Sequence, residues 1–210
     1  TLTTQYGHDA NGHLSSQSYP SGLNIQYAPN ALGQPTQAGP FATGVTYYPN
    51  GAIQQFTYGN GIVHTMQQNA RQLPGRSSDG TVLDLAYGFD PNGNVGQITD
   101  YVNGRQNRTM AYDGLDRLAH VTSNMFGTAS YGYDALDNLT RVQVDGGSQG
   151  RDQAYCYDSQ WHLANVKTGS CAGPTVVGLG YDAQGNLSNR NGQGYVFDYG
   201  NRLRNVTNKE

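Results

Sequence analysis

Asp90, Asn92 and Asn94 set three oxygen donors at alternate residues, the spacing with which a calcium-binding loop opens. Such a loop also needs Gly at its sixth position and a bidentate Glu at its twelfth. Val95 and Tyr101 stand there instead, so the stretch reads as an Asx-type hairpin turn. Of the five histidines (His8, His13, His64, His120, His162), only His8 and His13 come close together, around one turn, and two ligands fall short of a tetrahedral zinc site. Cys156 and Cys171 are the only cysteines. A bond between them would close a loop of about 16 residues, stabilise by roughly 3 kcal/mol, and belong to an oxidising compartment. Cys156 lies between Tyr155 and Tyr157, so in an extended chain it projects from the face opposite the rings, and no motif supplies it with a base. No phosphate loop, His-Glu-any-any-His or paired carboxylates on a common element occur. The chain therefore reads as non-enzymatic, with no cofactor and no metal.

The elements that carry these residues come from an internal repeat, aromatic-any-aromatic-Asp-any-any-Gly/Asp-any-Leu. Its clearest copies are Tyr131-Gly132-Tyr133-Asp134 through Leu139, Tyr155-Cys156-Tyr157-Asp158 through Leu163, and Tyr87-Gly88-Phe89-Asp90 through Val95. Two more begin at Tyr112-Asp113 and Tyr181-Asp182. Aligning on the closing apolar residue (Leu14, Pro35, Ile53, Leu73, Val95, Leu118, Leu139, Leu163, Leu187, Leu203) gives about ten copies, the weaker ones starting near His8, Pro29, Tyr47, Gln67 and Phe197. The spacing of roughly 16 to 24 residues suits a two-stranded unit with its turns.

Each copy predicts strand, tight turn, strand. Rings at alternate residues share one face of an extended chain and are expected to stack on neighbouring strands. The Asp carboxylate can accept from a backbone N–H two residues on, and Gly12, Gly33, Gly51, Gly93 and Gly185, or Asp116 and Asp137, then tolerate positive φ. The return strands alternate with period two, as in Leu139-Thr140-Arg141-Val142-Gln143-Val144. The far ends (Tyr58 to Gly61, Asp145 to Ser148, Asn191 to Gly194) are turn signals of varied length, and residues 70–81 look most loop-like although the repeat phase continues across them. The expected fold is all-β: tandem hairpins in one long, curved, antiparallel sheet, with residues 1–210 a single repeat array read as part of a longer chain.

Tyr-any-Tyr-Asp, Asp116-Arg117-Leu118, Gly185-Asn186-Leu187 and Tyr199-Gly200-Asn201-Arg202-Leu203 resemble the YD repeats of Rhs proteins, a family of bacterial polymorphic toxins, insecticidal toxin-complex shell components, wall-associated proteins and teneurins. The resemblance covers essentially the whole chain. It implies a hollow shell enclosing a toxic C-terminal domain, a secreted or cell-surface location, and as partners the rest of the shell and its enclosed domain. Ten two-stranded repeats at about 4.8 Å per strand give a strip of roughly 95 Å, whereas a ring around a 100-residue domain needs about 140 Å, so this piece can line a cavity but not close one. Shells that release their cargo carry an Asp-Pro-any-Gly self-cleavage region at the shell's end. Asp90-Pro91-Asn92-Gly93 has those letters mid-array and reads as a turn.

Composition narrows the alternatives. With 29 Gly, 16 Tyr, 5 Phe and 13% charged residues, the chain is too aromatic for disorder, and it has no apolar run long enough for a membrane span. A net charge of -3, from 15 acidic and 12 basic residues without a basic cluster, argues against nucleic acid. Two other readings stand beside a shell wall. One is a glycan-binding module using rings such as Tyr101, Tyr133 or Tyr195. The other is end-to-end pairing of open sheet edges, which only two lysines, Lys167 and Lys209, would oppose. Sequons such as Asn107-Arg108-Thr109, Asn138-Leu139-Thr140, Asn186-Leu187-Ser188 and Asn205-Val206-Thr207 fall largely out of the repeat and need not signal glycosylation.

Overall fold

The computed structural model describes residues 2–146 and 150–207. Gly147 and Ser148, at one expected far turn, and Lys209 lie outside them. The chain divides into two compact units, Thr1–Asn107 and Arg108–Glu210, and the described residues contain strands and turns but no helix.

In the first unit, β1 (Gln5–His8), β2 (Leu14–Ser18) and β3 (Asn24–Gln26) make a three-stranded antiparallel sheet. β4 (Ala42–Tyr47), β5 (Ile53–Tyr58), β6 (Val63–Gln68), β7 (Pro74–Asp79), β8 (Leu83–Phe89) and β9 (Val95–Asp100) follow, each antiparallel to the next. The loop-like stretch 70–81 thus contributes β7, in phase with the repeat. Between the two sheets the second copy forms its turn, where Asn30 N donates to Gln34 O at 2.9 Å, but its flanks meet only in one bridge, Pro29 to Pro35. Two prolines facing each other have no N–H to extend a ladder, so the hairpin stops there.

The second unit holds β10 (Arg108–Tyr112), β11 (Leu118–Ser123), β12 (Gly127–Tyr133), β13 (Leu139–Asp145), β14 (Arg151–Tyr157), β15 (Leu163–Thr168), β16 (Thr175–Tyr181), β17 (Leu187–Arg190), β18 (Gln193–Phe197) and β19 (Leu203–Thr207). Each pairs antiparallel with its successor. Their apolar layer is Val121, Ala129, Val142 and Val144, covered by Met110, Leu118, Phe126, Tyr131, Leu139 and Tyr155. No large side chain among the described residues is fully buried. Apolar residues on alternate positions cover one another across neighbouring strands, so the sheet's own side chains supply its core.

Candidate functional site: the repeat turns and their clasps

Ten repeat turns share one backbone pattern, which the far turns opened by Tyr19 and Tyr58 also adopt. The opening residue (Asp9, Asn30, Tyr48, Asn69, Asp90, Asp113, Asp134, Asp158, Asp182, Asp198) donates its N–H to the carbonyl four residues on, and its own carbonyl accepts from the N–H three residues on. That third residue is left-handed in every copy: Gly12, Gly33, Gly51, Gln72, Gly93, Asp116, Asp137, Trp161, Gly185 and Asn201 all have positive φ. This is the three-residue hairpin loop ending in a left-handed bulge residue, and a separate register shift lies just beyond it, as between Gly132 and Tyr133, where Tyr133 faces Leu139. In the fourth copy the closing position is Pro74, opposite Gln68, so the alignment on Leu73 is corrected by one residue. Gln72, Trp161 and Asn201 carry no glycine signal and went unrecognised in the sequence, as did Tyr48 in place of an Asx residue.

The Asp side chain closes the turn twice over. Asp134 Oδ1 accepts from the backbone N–H of Leu136 (2.8 Å) and of Asn138 (2.9 Å), and Oδ2 from Asn138 Nδ2 (3.0 Å). Asp182 repeats this with Gln184 and Asn186. Asp158 does so with Gln160 and His162, and Asp113 with Leu115 and Arg117, whose guanidinium completes an ion pair. Asp90 accepts both backbone and side-chain N–H of Asn94, so the calcium-like triplet is a turn bonded to itself. No metal-binding group of His, Cys, Asp or Glu occurs among the described residues. His13 lies beside Asp9 at 3.1 Å, in the position His162 takes beside Asp158. The side-chain amide of Asn138 holds Asp134 below the ordinary value of 3.8, the Asn186 amide does the same for Asp182, and the His162 backbone N–H does so for Asp158.

The aromatic pair divides its labour. The first rings, Tyr131 and Tyr155, pack on the apolar layer. The second ring reaches back one repeat: Tyr133 Oη donates to Leu118 O at 3.0 Å, Tyr157 Oη to Leu139 O at 3.1 Å, and Tyr181 Oη to Leu163 O at 3.0 Å. In the first unit Tyr47 Oη makes the same bond to Pro35 O at 2.6 Å. Every acceptor is the closing residue of the preceding turn. Burial pushes the phenols of Tyr47, Tyr133 and Tyr157 up from 10.0. Stacking of one repeat ring on the next, expected from the sequence, does not occur among Tyr131, Tyr133, Tyr155, Tyr157 and Tyr181. The preceding turn covers the second ring instead, with Arg117 over Tyr133 at 4.8 Å and His162 against Tyr181 at 4.8 Å. Phe89 occupies the same position without a hydroxyl, Tyr87 stands two residues before it on β8, and Tyr112 faces Leu118 on β10.

Side chains also bridge turn to turn. Arg117 reaches Asp134 O at 3.0 Å and Asp137 Oδ1 at 2.7 Å, Arg71 reaches Asp90 O at 2.9 Å, and Asn186 Nδ2 reaches Asn201 at 3.0 Å. Deeper in the strands, Arg76 grips Asp84 and Arg141 grips Asp152 through paired N–H bonds of 2.6 to 2.8 Å. Open recesses remain between some turns, one lined by Asp182, Phe197 and Tyr199 and another by Asn30, Tyr47 and Tyr48. The rings named for glycans are already engaged: Arg76 lies over Tyr101 at 4.9 Å, Arg117 covers Tyr133, and Tyr195 Oη bonds Gln193.

Cys156 and Cys171 are bonded, with Cα atoms 5.8 Å apart, tying β14 to the loop between β15 and β16. One motif escaped the sequence reading: Gly146-Gly147-Ser148-Gln149-Gly150 has the letters Gly-any-Ser-any-Gly, with its middle three residues outside those described. It joins the antiparallel strands β13 and β14, whereas a nucleophile elbow joins a strand to a helix.

A family model described as Teneurin YD-shell matches residues 4–210. No curated protein matches. Among solved structures, the crystal structure of TcdB2-TccC3-Cdc42 matches with a TM-score of 0.71 at 18% identity, over 96% of this chain and 13% of that one. The Photorhabdus luminescens Tc holotoxin pore, carrying a TccC3 mutation, gives 0.70 at 18% identity over 100% and 13%. TcdB2-TccC3 without its hypervariable C-terminal region gives 0.70 at 18% identity over 96% and 13%. At such identity the likeness is one of fold, and this chain spans about 13% of the length of the chains it matches.

Proposed function

We propose that this chain, which belongs to the teneurin YD-shell family, is a stretch of non-enzymatic wall in an Rhs-type shell that encloses or presents another domain. The observation that carries the reading is the tyrosine clasp: in four places a repeat donates a phenolic hydrogen bond to the closing carbonyl of the repeat before it. Repeats built this way depend on their neighbours and extend by addition, as a wall does. The shallow core fits the same role, because strands covered by side chains of their own sheet can form a wall with little buried interior. Family and fold are those of structural shell proteins. Two matched structures differ in what accompanies the same pair of chains, Cdc42 in one and an omitted hypervariable C-terminal region in the other, which suits a scaffold with an exchangeable passenger. The Cys156–Cys171 bond favours a secreted or surface location.

Electron microscopy of the longest natural chain containing these residues, with protease digestion of whatever follows the repeats, tests this. Hollow closed particles with a protected passenger are expected. Open strips or fibres, or a passenger digested as fast as the free domain, would overturn enclosure.

A further inference from the structure

Five turns of the second unit, opened by Asp113, Asp134, Asp158, Asp182 and Asp198, lie along one edge because every strand there pairs with its successor. Three consecutive turns each expose a large apolar side chain: Leu115 at 68%, Leu136 at 57% and Trp161 at 60%. The turn itself does not ask for them. The place held by Leu115 and Leu136 is apolar elsewhere only at Leu32 in the first unit, and is taken by Asn11, Arg71, Asn92 and Gln184 in other copies. Trp161 is held at φ 63°, where five other copies have Gly, and a bulky residue rarely adopts that conformation. Nothing in the turn's hydrogen bonding uses the indole, since only the Trp161 backbone N–H is engaged, by Asp158 O at 3.1 Å.

The surroundings are acidic. The five turns hold seven aspartates, and the arginines set against them are Arg117, Arg202 and Arg204. Neighbouring turns stand two strands apart, about 9.6 Å. Seven residues of an α-helix rise about 10.5 Å, so apolar residues at heptad spacing on one helix face match this row nearly tooth for tooth. We propose that the edge formed by Leu115, Leu136 and Trp161 docks a basic amphipathic helix, whose apolar stripe covers the three side chains and whose Lys and Arg face the aspartates. The site is on the turn edge and is independent of whether the sheet encloses anything.

Trp161 is the only tryptophan, so its emission reports the site directly. The chain would be titrated with a synthetic 21-residue Ala-based helix bearing Leu at heptad positions and Lys on the opposite face, with its Glu counterpart as control. A saturable blue shift with the Lys peptide only is expected. With a labelled Lys peptide followed by anisotropy, Trp161→Gly and Leu136→Ser should each weaken binding at least tenfold. Trp161→Gly restores the residue that other turns use at this position, so it keeps the test valid if Leu136→Ser fails to fold. Equal binding of the Glu peptide, or unchanged affinity in Trp161→Gly, would overturn the proposal. A Trp161 shift produced by lipid vesicles, or by concentrating the chain alone, would also overturn it, by assigning the edge to a membrane or to a second copy.

Discussion

The Tyr157 hydroxyl donates to the carbonyl of Leu139, 18 residues earlier, at 3.1 Å. Leu139 closes the turn opened by Asp134 and Tyr157 immediately precedes the turn opened by Asp158, so one hydrogen bond joins the working parts of two repeats. Tyr157→Phe keeps the ring and removes the donor. A loss of about 1 kcal/mol is expected, read as a lower urea midpoint at unchanged slope. An unaltered midpoint would show that the clasp contributes nothing.

Asp134 accepts two backbone N–H groups and one side-chain amide. Asp134→Ala leaves both backbone donors, one of them exposed, to water and should lower the urea midpoint measurably. Asp134→Asn retains an acceptor oxygen, as Asn30 and Asn69 do in their turns, and should cost less than half as much. Equal losses in the two variants would contradict the turn-closing role.

Acid should unfold the protein in a broad transition. Side-chain bonds from Asn138, Asn186, Arg76 and Arg141 lower Asp134, Asp182, Asp84 and Asp152, and backbone bonds lower Asp9, Asp100, Asp158 and Asp198. A carboxylate lowered in the folded state stabilises fully above the unfolded value of 3.8, and that contribution is lost as pH falls through the folded pKa. Chemical unfolding between pH 7 and pH 2 should show stability nearly flat down to about pH 4.5 and falling below it. For Tyr47, Tyr133 and Tyr157 the sign reverses. Raised above 10.0, they stabilise fully below that pH, and the contribution disappears as pH rises through the folded pKa and the clasp donors ionise.

Reducing the Cys156–Cys171 bond, or replacing both residues with Ser, reopens a loop of sequence separation 15. About 3 kcal/mol should be lost in the chain-entropy account, measured as the difference in unfolding free energy with and without reductant. The double Ser variant should be indifferent to reductant.

The parts of this protein legible in its sequence are those whose partners lie within five residues. An Asx residue, a left-handed residue three places on and an apolar residue two beyond that define a turn closed by its own side chain, and Asp90, Asp134 and Asp182 show it unaided. Period two in residues such as Leu139 to Val144 likewise follows from strand geometry alone. Where local chemistry was blurred, as at Gln72, Trp161 and Asn201, only the folded hairpin revealed a left-handed residue, because the flanking strands impose the bulge whatever side chain is there. The links between repeats had to wait for the tertiary structure: Tyr157 with Leu139, Arg117 with Asp137, and Arg76 with Asp84. Each joins positions brought together by strand register. A single bulge residue shifts that register and decides which side chains meet, so composition and spacing cannot fix it in advance.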